Sequence, residues 1–278
     1  MTLGAGEVRV GAHRLRILKQ RNGFAGIIVG RHKEQVTGTT ALEVETRLRA
    51  MLAEEHPDFI GLDGARKRFL GLFPEGFTDP AYIGDSTTGE RHYKSKAAET
   101  LQRDVPVAGT FDTPDIGLAA LRVMQQTNLL DPFSKAKLAD VLRGPRAAEF
   151  LSIARSFAMG DTNAACRDLS RQFKAEGVAS WVCLTYFPFL WLPDRHMFLK
   201  PTFTKAFATR IGHSFAHDYE SAPNPETYAS LLHMTAEVGN GLGDLDPADN
   251  IDLHSFMWVV MDYRDTDVMR PPTGDGQA

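Results

Sequence analysis

The chain has 278 residues, of which 43% are hydrophobic and 24% charged, with a formal net charge of -4. These values are ordinary for folded globular proteins, so they exclude wholesale disorder, and the length allows one large domain or two smaller ones. Residues 1–105 carry sixteen Lys and Arg against fourteen Asp and Glu, and the remainder is acidic, which is not the strongly basic balance that by itself marks a nucleic-acid binder.

The start, MTLGAGEVRVGAHRLR, has charges where a signal peptide needs an apolar run. The longest apolar run, Trp181 to Leu192, is too short for a membrane span and is interrupted by Pro188, so it reads as core. Cys166 and Cys183 have no CxxC spacing and read as free buried thiols. A cytoplasmic location and no membrane partner are expected.

The first 38 residues alternate as strands do: Val8 and Val10, then Leu15, Ile17 and Lys19, then Ala25, Ile27 and Val29. Arg21-Asn22-Gly23 supplies a hairpin turn, predicting an antiparallel meander. Thr40 and Glu43 then form a capping box, opening a helix to about His56 with Leu42, Val44, Leu48 and Leu52 on its buried side.

Helical signals follow: Asp63 to Phe73, Gly89 to Arg103, and Ile116 to Gln126 behind Pro114. Further helices are expected from Asp131-Pro132 to near Gly144, from Pro145 to near Gly160 and from Asp161 to about Gly177. Beyond the apolar run come Thr202 to Ile211, Pro225 to about Val238, and Ile251 to Met261. The expected fold is α+β and predominantly α-helical, with a small N-terminal antiparallel meander followed by a helical domain. The expected domains are 1–108, mildly basic, and 109–270, with a flexible tail at 271–278.

Three clusters bear chemistry. Lys67 and Arg68 diverge around the α-helical face of Ala65, Phe69, Leu72 and Phe73, whereas His92, Lys96 and Arg103 share one side of their helix. That side either contacts phosphates or is a solvated face laced by Glu90–Lys94 and Glu99–Arg103 pairs. Asp249, Asp252 and His254 either hold a divalent ion such as Mg2+ and activate water, or cap a helix and pack in a core. Lys200, before Pro201, either holds a phosphate or caps the preceding element. A PD-(D/E)xK nuclease motif would need an acid where Phe198 stands. No GxxxxGK[ST], GxGxxG after a strand, GxSxG, HExxH or paired Cys/His set occurs, which removes the common nucleotide, redox, hydrolase and zinc chemistries.

The strands followed by GTTALEV look like the β-β-β-α unit of HicB-type antitoxins. The segments SWVCLTYFPFLWLPDRHMFLKP, NPETYASLL and DNIDLHSFMWVV, with HPDFIGLDGARKRFLGLFPEGF and ERHYKSKAAETL, look like an uncharacterised bacterial helical family similar to parts of restriction and phage-defence proteins. That resemblance implies a bacterial, antiviral-defence setting and transfers no site residue.

The leading expectation is a DNA-associated accessory protein in bacterial genome defence or DNA metabolism, without a cofactor. The alternatives are a divalent-metal-dependent nuclease or hydrolase using Asp249, Asp252 and His254, and a subunit whose aromatic segment 181–198 meets a protein partner.

Overall fold

A computed structural model describes residues 6–10, 13–31, 34–53, 58–85 and 88–264. The fold is α+β and mostly helical, as predicted. Strands β1 (Gly6–Val10), β2 (His13–Gln20), β3 (Gly23–Ile28) and β4 (Gln35–Gly38) form one antiparallel sheet in that order. The helices are α1 (Ala41–Ala53), α2 (Gly61–Leu72), α3 (Pro80–Ile83), α4 (His92–Asp104), α5 (Ile116–Gln125), α6 (Pro132–Arg143) and α7 (Ala147–Ala158). They continue with α8 (Thr162–Phe173), α9 (Trp181–Trp191), α10 (Pro201–Ile211), α11 (Phe215–Asp218), α12 (Pro225–Gly241) and α13 (Asn250–Asp262). The expected tail at 271–278 and helix end near His56 lie outside the described residues.

By compactness the chain forms a first unit, Met1–Lys67 with Thr202–Tyr219, and a second, Arg68–Pro201 with Glu220–Ala278. This is not the division expected at 108/109. Helix α4, expected in the first domain, packs on α5 and α9 of the second unit. In the first unit the return segment is tied through its backbone carbonyls by hydrogen bonds that local sequence patterns do not encode. Ile60 N–H donates to the Arg210 carbonyl at 2.9 Å, and Arg49 donates to the Gly212 carbonyl at 2.7 Å.

The sheet register decides which face is buried. Leu15 pairs with Ile28 and Val8 with Leu15, so the side chains of Val8, Val10, Leu15, Ile17, Phe24 and Ile28 turn toward α1. On β3 it is Phe24 and Ile28, and not the alternating set Ala25 and Ile27, that share the α1 side. GFAGIIV is apolar at both parities, so only pairing with β2 fixes the choice, and a one-residue slip would exchange the faces. The sheet also has a short fourth strand that the sequence reading did not separate.

At the β2–β3 turn the positive φ belongs to Gly23, at 136°, and not to Asn22. A Cβ on Gly23 would lie 2.4 Å from the Gly38 carbonyl oxygen. Gly23→Ala is therefore expected to cost roughly 1–3 kcal/mol in the first unit. Faster hydrogen exchange of the β2 and β3 amides reads this, and unchanged protection would refute it.

Helix α1 buries Ala41, Val44, Leu48 and Leu52, while Leu42 is 61% exposed, against expectation. At 100° per residue Leu42 stands more than 100° from the centre of that apolar set, so it cannot join it. The cap is also modified. The Glu43 N–H donates to the Thr40 hydroxyl at 3.1 Å, as a capping box requires, but the Glu43 carboxylate receives the Thr39 N–H at 2.8 Å rather than that of Thr40.

The second unit is built around α9, all of whose residues are buried. An all-apolar helix belongs at a core centre, and it packs on α4, α6 and α7. Trp191 donates to the Val105 carbonyl at 2.7 Å and stacks on Phe111, while Tyr186 and Thr127 share a 2.7 Å hydroxyl bond. No described helix is long and apolar enough to cross a membrane. Both cysteines are free and buried, and burial raises their thiols to about 11, so they stay protonated packing groups.

A second core of the same unit gathers Phe69, Phe73, Phe77, Tyr82 and Phe256, with ring centroids 4.9–5.7 Å from Phe69. This apolar layer supports the start of α13 and excludes water from the charges beside it.

Candidate functional sites

The start of α13 carries Asp249, Asp252 and Ser255 at successive three-residue steps, which places them on one side of the helix. Facing them are Glu90, Arg91 and Lys94 around the first turn of α4. Asp249 is the N-cap, accepting from the Ile251 N–H at 2.8 Å, and Arg91 grips its two oxygens at 3.1 and 2.9 Å. Arg91 also lies 2.6 Å from Asp252 Oδ1, which receives the Tyr82 hydroxyl at 2.5 Å. The other Asp252 oxygen accepts the Ala248 N–H at 2.8 Å. Every oxygen of this buried carboxylate is therefore engaged. Burial, with the Asp252 charge adding to it, pushes the Tyr82 hydroxyl well above its ordinary range, so Tyr82 stays a neutral donor.

Lys94 is 1% exposed, and its ammonium donates to Glu90 at 2.6 Å and to the Ser255 hydroxyl at 2.8 Å. The second Glu90 oxygen receives the Tyr263 hydroxyl at 2.8 Å. Burial depresses the Lys94 amine, opposed by the Glu90 carboxylate. The Glu90–Lys94 pair, expected on a solvated face, is thus inside the protein, because α13 covers it. Arg103 pairs with the adjacent Asp104 at 2.7 Å instead of with Glu99.

His254 points from α13 to the side away from these carboxylates. With Lys94, Lys200 and Trp258 it lines a cavity of about 30 Å3, completed by Tyr93, Asn128 and Leu129. Burial, then the charges of Lys94 and Lys200, hold the His254 imidazole well below its usual range, so it is neutral. Lys200 sits 4.9 Å over the Trp258 ring, and Lys94 sits 5.2 Å over the Tyr93 ring. Of the residues expected to converge, His254 and Lys200 do share a cavity, whereas Asp249 and Asp252 belong to the Arg91 network. The ligand atoms of Asp249, Asp252 and His254 do not gather closely enough to hold one metal ion.

The remaining expected nucleic-acid contacts are dispersed. Lys67 is exposed in the first unit. Arg68 is half-buried in the second, donating to the Val260 carbonyl at 2.9 Å and to the Tyr263 carbonyl, and so closes the C-terminal end of α13 where positive charge is favoured. His92 is half-buried, while Lys96 and Arg103 are exposed along α4. The aromatic segment expected to meet a protein partner is instead core, since 181–191 and 196–199 are buried.

Sequence reasoning passed over the solvent side of the sheet. Opposite the α1-facing residues, register places Arg9 directly across from Arg14 and Glu7 directly across from Arg16, with Leu18 and Ile27 beside them. Arg9, Arg14 and Arg16 are all exposed, and Leu18 is 57% exposed. Glu7 accepts from Arg16 at 2.8 Å and lies 3.7 Å from Arg14. The Arg16 hydrogen bond leads the causes that hold the Glu7 carboxyl below its ordinary range. The signal was legible in the alternation of VRV and HRLRI, where every second position is arginine.

Comparison with protein-family models, with curated proteins and with solved structures finds no match to the chain.

Proposed function

We propose that the protein associates with DNA through the solvent face of the β1–β4 sheet, with Arg9, Arg14 and Arg16 as backbone-contacting residues. The observation that carries this reading is the concentration of three exposed arginines on one sheet face, balanced by the single carboxylate of Glu7. Like charges placed directly across a strand pair, as Arg9 and Arg14 are, disfavour the bare sheet, and phosphates relieve that repulsion. Guanidinium forks fit phosphate oxygens in a bidentate way, and exposed Leu18 offers an apolar contact beside Arg16. Backbone contacts position a protein without reading sequence, so the expected binding is weakly sequence-dependent.

The test is fluorescence anisotropy with duplex and single-stranded DNA at two salt concentrations. Affinity is expected to fall steeply between about 50 and 200 mM salt. Combined Arg9→Ala, Arg14→Ala and Arg16→Ala substitutions are expected to weaken binding at least about tenfold and to reduce the logarithmic salt slope by up to about 3. No binding by the native chain at low salt ends this reading, and equal binding by the triple variant moves the interface elsewhere.

The hydrolase alternative gains no support from the arrangement of Asp249 and Asp252, whose oxygens are already taken by Arg91, Tyr82 and backbone N–H groups.

A further inference from the structure

The solvent face of the sheet separates its charge from its uncharged surface. Register sets Arg9 beside Arg14 and Glu7 beside Arg16, all on β1 and β2, while the residues that continue these rows on β3 and β4, Ile27, Gln35, Ala25 and Thr37, carry no charge. Three guanidinium groups meet one carboxylate there. Glu7 lies within ion-pair reach of Arg14 and Arg16, and Arg9 makes no ion pair among the described residues, so the block keeps an excess of positive charge. That excess is compact. Directly paired Cβ atoms stand about 5 Å apart and Arg16 follows Arg14 by about 7 Å along β2, inside the roughly 10 Å screening length of 0.1 M salt, so the three groups act on a ligand together.

No stacking platform accompanies the block. Phe24 is the one Phe, Tyr or Trp in residues 1–40, and it packs on the opposite side of the sheet, against the α1 cluster. Sheets that hold single strands lay unstacked bases on outward aromatic rings, at about 1–3 kcal/mol per base. Outward Leu18 and Ile27 have no flat π surface for that purpose. A duplex needs none, since its bases already stack on one another. It also presents one phosphate charge per about 1.7 Å of axis, against about 3.4 Å for one of its strands. A charge block of fixed width therefore meets about twice as many phosphates on a duplex, without first ordering a flexible chain.

We propose that this face selects double-stranded over single-stranded DNA, a selectivity that rests on the sheet being the DNA-contacting surface. Arg9, Arg14 and Arg16 engage the closely spaced phosphates of a duplex, and the uncharged rows of β3 and β4 give an unpaired base nothing to stack on.

The experiment is a competition with the full chain. A short fluorescein-labelled DNA duplex is bound at low salt and displaced by unlabelled duplex or by a non-complementary single strand of the same length, compared at equal phosphate concentration. The duplex is expected to compete at least about fivefold more effectively. Leu18→Tyr supplies a ring beside Arg16 at an exposed position, and is expected to tighten single-strand binding at least about fivefold while changing duplex affinity less than about twofold. Equal or stronger competition by the single strand overturns the selectivity and leaves the face as a DNA-binding surface. Unchanged single-strand affinity in Leu18→Tyr overturns it as well, because the missing ring is then not what excludes single strands. If neither labelled duplex nor labelled single strand binds the native chain, the DNA reading itself fails and the selectivity fails with it.

Discussion

Replacing Arg91 by methionine is expected to destabilise the second unit by about 3–5 kcal/mol, the cost of breaking a buried charge pair and stranding its partners. Asp252 is 2% exposed on its side chain and Arg91 23%, so solvent does little to screen their attraction or to rescue Asp252 once Arg91 is removed. Asp249 keeps its capping bonds in the variant but loses its two-pronged guanidinium. All three tryptophans, Trp181, Trp191 and Trp258, lie in this unit, so urea unfolding followed by tryptophan fluorescence reports it directly. The control is Arg103→Met, which removes an exposed pair with Asp104 and is expected to change stability by less than about 0.5 kcal/mol. A loss below about 1 kcal/mol for Arg91→Met would mean that the network is solvated and contributes no more than a surface pair.

Acidification is expected to destabilise the same unit from pH 6.5 downward. The His254 imidazole is held well below 6.5 by burial and by the charges of Lys94 and Lys200. As pH falls through 6.5 the unfolded chain takes up a proton there and the folded chain does not. Stability is therefore full above about pH 7 and is lost below it, at up to about 1.4 kcal/mol per pH unit for this group. His196, lowered by burial while bonded to the Ala158 carbonyl and the Tyr228 hydroxyl, adds to the loss in the same direction. Urea midpoints at about pH 7.5, 6 and 5 measure the slope, and His254→Phe is expected to flatten it. A native profile that is level from pH 7 to 5 contradicts the assignment of a neutral buried imidazole.

How much of this was legible in the sequence depends on whether the signal was local. Asp131 and Asp161 were read as N-caps and are N-caps, with side chains accepting N–H groups two or three residues on, because that bond is completed within one helical turn. The capping role of Asp249 was legible for the same reason. Its guanidinium partner was not, since Arg91 stands 158 residues away and no pattern around either residue names the other. Glu90 and Lys94 illustrate the same limit. Their spacing announced an ion pair correctly, but whether that pair faces water is settled by Ser255 and α13, 161 residues later. Helix α9 carried no period to read, because a segment apolar on every side has no face. The arginine alternation of β1 and β2 was visible from the start and was missed because basic residues were sought on helices.

The return of residues 202–219 to the unit that begins the chain has a consequence for synthesis. The sheet and α1 leave the ribosome first, yet the segment offering the Arg210 and Gly212 carbonyls follows only after Arg68–Pro201. At about 5–20 residues per second that interval lasts roughly 7 to 27 s. During it the nascent meander must persist with the outer edges of β1 and β4 unpaired and with part of its apolar lining uncovered. A crowd of arginines on its bare face suits that waiting period, since like-charged sheets repel one another before they can join edge to edge.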